Sequence, residues 1–136
     1  MRKYYLAGPM SGIKQLNFPL FFSAAKDLRR AGYDIVSPAE MDDEQTVKDA
    51  LASDGEYTGR GSWGDFLSRD VKIIADTVEG IIFLPDWHRS KGARLEAYVA
   101  IISGYTKFRY YDPDNGECRP LSMNVVKERL IRAIAN

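Results

Sequence analysis

The sequence predicts a single-domain α/β sandwich with a mostly parallel sheet. Short apolar runs bounded by glycine or proline, as in buried strands, alternate with segments whose apolar residues recur at helical spacing. The chain has 136 residues, which is enough for one domain with a substantial core but not for two. No internal repeat or low-complexity segment interrupts the alternation, so we expect one domain over residues 1–136.

The first half of the chain contains two predicted strands around an amphipathic helix. The apolar run 4–7 ends in Gly8-Pro9, as expected of a buried strand followed by a turn. Asn17 is a candidate N-cap for a helix that extends towards Gly32 and has an apolar face: Phe18, Phe21, Phe22, Ala25 and Leu28. Residues 33–38 predict a second strand, which a proline stops.

The middle of the chain has a weaker pattern of apolar residues. Residues 40–52 fit a short helix, and the glycines of segment 55–64 predict a mobile loop. Ser62 and Asp65 have the spacing of a capping box, and they open a helix that extends to about Ala75.

The second half contains the clearest strand, 80–85, which is apolar up to its final proline. We expect the next helix to begin at Ser90 and to end near Gly104. A further strand over 107–111 and a turn at 114–116 lead to a last amphipathic helix with one apolar face: Met123, Val126, Leu130 and Ala133.

Composition and charge exclude several classes of protein. The formal net charge is zero, so no basic excess suggests a nucleic-acid polymer as partner. No apolar run is long enough to span a membrane or resembles a signal peptide. Cys118 is the single cysteine, which excludes an internal disulfide, and its distance from the single histidine, His88, argues against a zinc site. We therefore expect a cytoplasmic protein without a bound metal.

Glu96 occupies an unusual position in the helix predicted after strand 80–85. A surface glutamate usually has long polar neighbours on its face of the helix. The residues at these positions are small or apolar: Gly92, Ala93, Val99 and Ala100. A carboxylate in such a strip is costly unless it is paired or used, which makes Glu96 a candidate catalytic residue.

Asp70 is a second acid in apolar surroundings. Its own helical face includes Phe66, Ile73 and Ile74, so it is expected to turn towards the sheet. The alternative is that one or both acids reach solvent at the edge of the sheet, or bind an arginine such as Arg69 or Arg94. The two helices open at the same end of the predicted sheet, and this favours a shared site.

Tyr5 is a third candidate, although it has a purely structural alternative. Tyr4 and Tyr5 point to opposite faces of the first strand, and either can serve in packing alone. A tyrosine hydroxyl beside a buried carboxylate would orient the carboxylate and keep it ionised.

Two loops lie where ligands bind in open parallel sheets, beyond the carboxyl ends of the strands. The turn Gly8-Pro9-Met10-Ser11-Gly12 allows the backbone to approach a ligand, with a plain turn as the alternative. Ser90 is placed to cap the helix after strand 80–85, whose N-terminus favours anions, and capping alone is the alternative. Trp87 in the same loop is a candidate to stack on a base or to cover the site, with ordinary loop exposure as the alternative.

Three short motifs, taken in this order and spacing, resemble the nucleoside 2-deoxyribosyltransferase family. They are Tyr5-Leu6-Ala7-Gly8-Pro9, Arg69-Asp70-Val71 and Ser90-x-Gly92-x-x-x-Glu96. The chain is most similar to the branch of 2'-deoxynucleoside 5'-monophosphate N-hydrolases and their uncharacterised relatives, many of them in phage genomes. The resemblance extends over about residues 4–104.

This resemblance implies a Rossmann-like three-layer sandwich with a mostly parallel sheet of about five strands. It also implies that Glu96 is the nucleophile on the anomeric carbon, that Asp70 holds a sugar hydroxyl or passes a proton to the leaving base, and that Tyr5 hydrogen-bonds the nucleophile. No metal or organic cofactor is needed, and a homodimer or larger homo-oligomer is implied. The expected substrate-binding residues are Gly8, Pro9, Met10, Ser11, Ser90, Gly92 and Trp87.

Ser90 favours one branch of this family. The transferases that act on free nucleosides typically have an acid at this position, whereas a serine at a helix N-terminus accepts a phosphate. Lys91 or Arg94 would assist. We therefore expect N-glycosidic cleavage of (deoxy)nucleoside 5'-monophosphates, with base exchange by a transferase and non-catalytic nucleotide binding as the alternatives.

Overall fold

The structure, a computed structural model, describes residues 2–55 and 63–135, except the side chains of residues 63 and 135. The described residues form one five-stranded sheet with strands β1 (Lys3–Ala7), β2 (Asp34–Val36), β3 (Gly80–Phe83), β4 (Lys107–Asp112) and β5 (Glu117–Leu121). The helices are α1 (Phe18–Arg30), α2 (Glu44–Leu51), α3 (Trp63–Thr77), α4 (Lys91–Ile102) and α5 (Met123–Ala135). Three short 3₁₀ turns are found at Gln15–Asn17, Pro38–Glu40 and Trp87–Arg89.

The sheet has helices on both faces, so the fold is a three-layer sandwich. Alternation along β1 and β3 sends Leu6 and Ile82 into a core with α1 and α2. The same alternation sends Tyr5 and Ile81 into a second core with α3, α4 and α5. This arrangement confirms the expected α/β sandwich and is compatible with a Rossmann-like fold.

The strand order β2-β1-β3-β4-β5 creates a crevice between the carboxyl ends of β1 and β3. The first four strands are parallel; the connection after β1 leads to β2 on one side of it, and the connection after β2 crosses back to β3 on the other side. Ligands bind at such switch points in open α/β sheets. Gly80 permits the close approach of β3 to β4, because a Cβ at this position would lie 2.0 Å from the carbonyl oxygen of Lys107.

Strand β5 is the element that the sequence patterns did not locate. It is an edge strand antiparallel to β4, joined to it through the predicted turn at 114–116. Its Pro120 and mostly exposed side chains remove the apolar alternation that marks a strand, and an edge position tolerates both.

The start of α1 corrects one expectation. Asn17 precedes the helix as predicted, but its backbone is left-handed (φ 60°) and its side chain does not cap the helix. The Asn17 amide instead donates a hydrogen bond to the carbonyl of Pro9, at 3.0 Å. Helix α3 was predicted from Ser62, which lies outside the described residues together with most of segment 55–64.

The C-terminal helix α5 packs through the face that its spacing predicted. Val126 and Leu130 are buried in the core shared with α3 and α4, whereas Ile131 and Ile134 are exposed. Among the described helices, none is both long enough and apolar enough to cross a membrane.

Candidate active site

A pocket of about 750 Å³ lies at the carboxyl ends of β1 and β3. Its walls come from the turn after β1, the first turn of α4, helix α3, and the segments before α1 and around the start of α2. The volume is in the range of pockets that hold a nucleotide-sized ligand. The pocket therefore occupies the position that the sheet topology predicts for a ligand.

Glu96 lies buried at the pocket, on the second turn of α4, with 7% of its surface exposed. The hydroxyl of Tyr5 donates a hydrogen bond to its Oε2 at 2.5 Å. Burial, reinforced by the nearby Asp70, raises the pKa of Glu96 to about 8, while the Tyr5 hydrogen bond and Arg69 act in the opposite direction. A carboxyl group that can be neutral or charged near neutral pH is typical of functional sites.

Tyr5, on strand β1, is the hydrogen-bond donor to Glu96. Its side chain is completely buried on the α3–α4 face, opposite to that of Tyr4. Burial and the two nearby carboxyl groups, of Glu96 and Asp70, raise the pKa of Tyr5 well above its usual value. The hydroxyl is therefore a permanent donor that orients the Glu96 carboxyl group.

Asp70 faces the same pocket from α3 and also has an arginine partner. Its side chain is 13% exposed, and Arg69 Nε donates to its Oδ1 at 2.9 Å. Arg69 Nη1 also contacts Oδ1 of Asp42 at 3.3 Å, so one guanidinium joins two carboxylates of the pocket wall. Burial raises the pKa of Asp70, and the Arg69 hydrogen bond and the neighbouring Tyr5 limit the rise. Asp70 is thus paired with arginine and placed at the site.

The N-terminus of α4 forms another part of the wall. The Ser90 hydroxyl caps the helix by accepting a hydrogen bond from the Ala93 backbone at 3.2 Å. Ser90, Arg89 and Lys91 line the pocket, which places positive charge beside the helix N-terminus. Arg94 is directed elsewhere: its Nη1 donates to the carbonyl of His88, and it does not line the pocket.

A left-handed turn before α1 brings Leu16 into the pocket wall. Gln15, Leu16 and Asn17 have consecutive positive φ angles of 57°, 50° and 60°. Such a conformation costs about 1–2 kcal/mol for each non-glycine residue. Two hydrogen bonds from Gln15 to the end of the α2 segment hold the turn, one of them from its side chain to the carbonyl of Leu51 at 2.7 Å.

The structure brings together nearly all the residues that the sequence selected. The pocket is lined by Tyr5, Asp70 and Glu96, and also by Gly8, Pro9, Met10, Ser11, Ser90 and Gly92. Trp87 does not line the pocket: it is 4% exposed and stacks on Phe83 with ring centroids 4.1 Å apart, because the 3₁₀ turn after β3 folds the indole back into the core.

Sequence reasoning missed other residues that line the pocket: Asp42, Thr46, Phe66, Leu67, Asp86 and Arg89. Asp86 carried a weak local signal, because aspartate is one of the few non-glycine residue types enriched in the left-handed conformation found here (φ 63°). In the described part of the chain, no group of three or more acidic, histidine or cysteine side chains is arranged to hold a metal ion.

Gly92 provides a first test of the pocket wall. A Cβ at this position would meet only the Ser90 Oγ, at 4.0 Å, so the fold does not require glycine. We expect Gly92→Ala to keep or raise the free energy of unfolding, by up to about 1 kcal/mol from helix propensity. The added methyl group lies on the face of Glu96, so we expect ligand affinity or turnover to fall by about tenfold.

The measurement pairs thermal unfolding with ligand binding. Gly64→Ala is the matched control, because Gly64 lies in the first turn of α3 and does not line the pocket. Unchanged binding and turnover in Gly92→Ala would show that the open space at position 92 is not used.

Comparison with known proteins gives one family. No curated protein matches the chain. The model of the family described as "Domain of unknown function (DUF4406)" matches residues 2–106, which include Tyr5, Asp70 and Glu96 and exclude β4, β5 and α5. The match covers well over half of the sequence, and the chain therefore belongs to the DUF4406 family.

Proposed function

We propose that this protein cleaves the N-glycosidic bond of (deoxy)nucleoside 5'-monophosphates and releases a free base and a sugar phosphate. The observation that carries the proposal is the buried Glu96 carboxyl group, which accepts a hydrogen bond from Tyr5 beside Asp70 in one pocket. A structural role alone does not account for this arrangement, because burying two acids against each other costs free energy. The resemblance to N-hydrolases supplies the substrate class.

The reaction requires a carboxylate and a proton donor. The Glu96 carboxylate attacks the anomeric carbon while the bonding electrons of the C–N bond move to the base. Asp70, when protonated, passes a proton to the departing base or holds a sugar hydroxyl. Water then attacks the anomeric carbon of the glycosyl ester and loses a proton to the same acid–base group, which restores the Glu96 carboxylate and releases the sugar phosphate, as in retaining glycosidases.

The titratable groups of the site suit this sequence of steps. Burial raises the pKa of Glu96 to about 8, so this carboxyl group changes from neutral to charged near neutral pH, and burial also raises the pKa of Asp70. The nucleophilic form has Glu96 ionised. The Tyr5 hydrogen bond favours the ionised form of Glu96, so kcat/KM should rise as the pH approaches 8.

The two ends of the pocket suit the two ends of a nucleotide. Ser90, Lys91 and Arg89 at the start of α4 provide helix N–H groups and positive charge for the 5'-phosphate. Apolar side chains elsewhere on the wall provide surface for a base: Leu16, Phe18, Pro38, Phe66 and Leu67. The sugar would lie between them, against the Glu96 face that Gly92 and Ala93 leave open.

The test is chromatography of ribo- and deoxynucleoside monophosphates incubated with the wild type and with Glu96→Gln. Release of free base by the wild type alone is the expected result, and it identifies the base and the sugar. A new nucleotide that forms only when a second base is added would make the protein a transferase. Tight binding of a monophosphate without cleavage would replace the catalytic proposal with nucleotide sequestration.

We also propose a homo-oligomer, as the resemblance implies. Tyr98 and Ile102 on α4 are 52% and 66% exposed, and they leave an apolar strip on the helix that carries Glu96. Light scattering should give a mass of at least two chains at micromolar concentration. Tyr98→Lys should lower that mass, while Leu51→Lys, on α2, should not, and a wild-type mass of one chain would refute the oligomer.

A further inference from the structure

A second cavity, of about 430 Å³, lies between the 3₁₀ turn after β3, helix α4 and helix α5. Apart from Ala133, every side chain that lines it is basic: His88, Arg89, Arg94, Arg129 and Arg132. We call this cavity the arginine cleft. The whole chain has a formal net charge of zero, so the concentration of arginines is a local feature and does not reflect a generally basic surface.

Two of the four arginines, Arg89 and Arg129, have no side-chain hydrogen bond or ion pair with the residues that the structure describes. Arg132 forms an ion pair with Glu128 at 2.6 Å, and Arg94 donates to the carbonyl of His88. Within residues 2–55 and 63–135, no carboxylate lies in ion-pair distance of Arg89 or Arg129. Their positive charge therefore remains available for an anion.

Both free arginines influence the same side chain of the cleft, His88. Burial is the largest cause that lowers the pKa of His88, and Arg129 and Arg89 lower it further. Asp86 is the acid that opposes them there. His88 is therefore neutral near pH 7 and can donate a hydrogen bond, while the guanidinium groups supply the charge.

Arg89 lines both the arginine cleft and the active-site pocket. It directly precedes Ser90, the cap of the helix N-terminus to which the proposed function assigns the 5'-phosphate. A phosphate chain that leaves this position past Arg89 would enter the arginine cleft. Arginine suits such a chain because its planar fork makes paired hydrogen bonds to phosphate oxygens.

We propose that the arginine cleft binds the outer phosphates of a nucleotide whose first phosphate lies at the N-terminus of α4. This inference rests on the proposed function and extends its substrate class to nucleoside 5'-diphosphates. Arg129 and Arg132 lie on α5, beyond residues 2–106 that the family model matches, so the cleft depends on a part of this chain outside that match.

The test compares binding of deoxynucleoside mono- and diphosphates of the four common bases, and of inorganic triphosphate, by calorimetry at constant low salt. Glu96→Gln serves as the parent protein, so that no nucleotide is cleaved during the titration. We expect the best diphosphate to bind about tenfold more tightly than its monophosphate. Arg129→Gln should reduce this ratio to about one while the monophosphate affinity stays the same, and Arg129→Lys should give an intermediate ratio.

Lys127→Gln is the matched control, because it removes one charge from the exposed surface of α5 without lining the cleft. Circular dichroism establishes that each variant is folded. Equal affinities for mono- and diphosphate, or a ratio that survives Arg129→Gln, would overturn the inference. If the wild type cleaves monophosphates while diphosphates bind the Glu96→Gln parent no more tightly than monophosphates, the proposed function stands and only the cleft assignment fails.

A last outcome distinguishes a nucleotide from a free polyphosphate as the ligand of the cleft. Binding of inorganic triphosphate that requires Arg129, in a protein that binds no nucleotide, would overturn the shared-ligand inference in favour of a separate polyphosphate ligand. The same result would count against the proposed function.

Discussion

Glu96→Gln is expected to abolish turnover and, at alkaline pH, to stabilise the protein. Glutamine keeps the shape of the side chain and can accept the Tyr5 hydrogen bond, but it is a poor nucleophile. We expect kcat to fall by at least about a thousandfold. Base release in the chromatographic assay measures this loss.

The stability effect follows from the pKa of Glu96, which burial raises from an ordinary 4.5 to about 8. Between these values the folded protein holds a proton that the unfolded chain has lost, so the free energy of unfolding falls as the pH rises. Each pH unit costs about 1.4 kcal/mol at most. Glutamine removes this penalty, and after its own burial cost we expect Glu96→Gln to be more stable by about 1–3 kcal/mol near pH 9.

Thermal unfolding of the wild type and Glu96→Gln at pH 5, 7 and 9 measures the effect. The difference between the two proteins should be small at pH 5 and should grow to several degrees at pH 9. Glu44→Gln is the control, because it makes the same substitution at a side chain that is 86% exposed and does not line the pocket, so it should change stability little. A difference that is constant with pH would show that the pKa of Glu96 is not raised.

The fold could be predicted from the sequence wherever burial sets the residue pattern. The run Gly80–Phe83 is buried throughout, and α1 and α5 show their buried faces as apolar spacing. Strand β5 could not be predicted in this way because an edge strand has no buried pattern to display. The left-handed turn at Gln15–Asn17 had a local signal only at Asn17, because Gln15 and Leu16 rarely adopt this conformation and contacts with the α2 segment hold it in place.

The candidate site was predictable to the extent that its residues conflict with their surroundings. Glu96 has small neighbours on its helical face, and Asp70 has apolar ones. The sequence therefore identifies both as positions where a carboxylate costs free energy. Asp42 and Arg89 are ordinary surface residues by pattern, and only the packing of distant segments places them at the pocket. Trp87 was a candidate to face the site for the same reason, since the sequence does not show that its turn folds back onto Phe83.

Tyr5→Phe should slow the reaction and move its pH dependence to higher values. The hydroxyl donates to Glu96 at 2.5 Å and lowers the pKa of that carboxyl group, which burial raises. Without the hydroxyl the ionised, nucleophilic form becomes rarer at neutral pH. A hydrogen bond to a charged group contributes about 1.5–3 kcal/mol, so we expect kcat/KM near pH 7 to fall by about 10- to 100-fold.

The direction of the pH shift is what separates an activating role of Tyr5 from a packing role. Phenylalanine preserves the buried ring, so a packing role predicts little change, or a loss that is equal at every pH. An activating role predicts that the rising limb of the kcat/KM profile moves by about one to two units to higher pH, with part of the activity recovered near pH 9. Tyr4→Phe is the matched control, because Tyr4 precedes Tyr5 on β1 but packs against Tyr33 on the opposite face. If the two variants gave the same profile, the hydrogen bond between Tyr5 and Glu96 would have no part in forming the nucleophile.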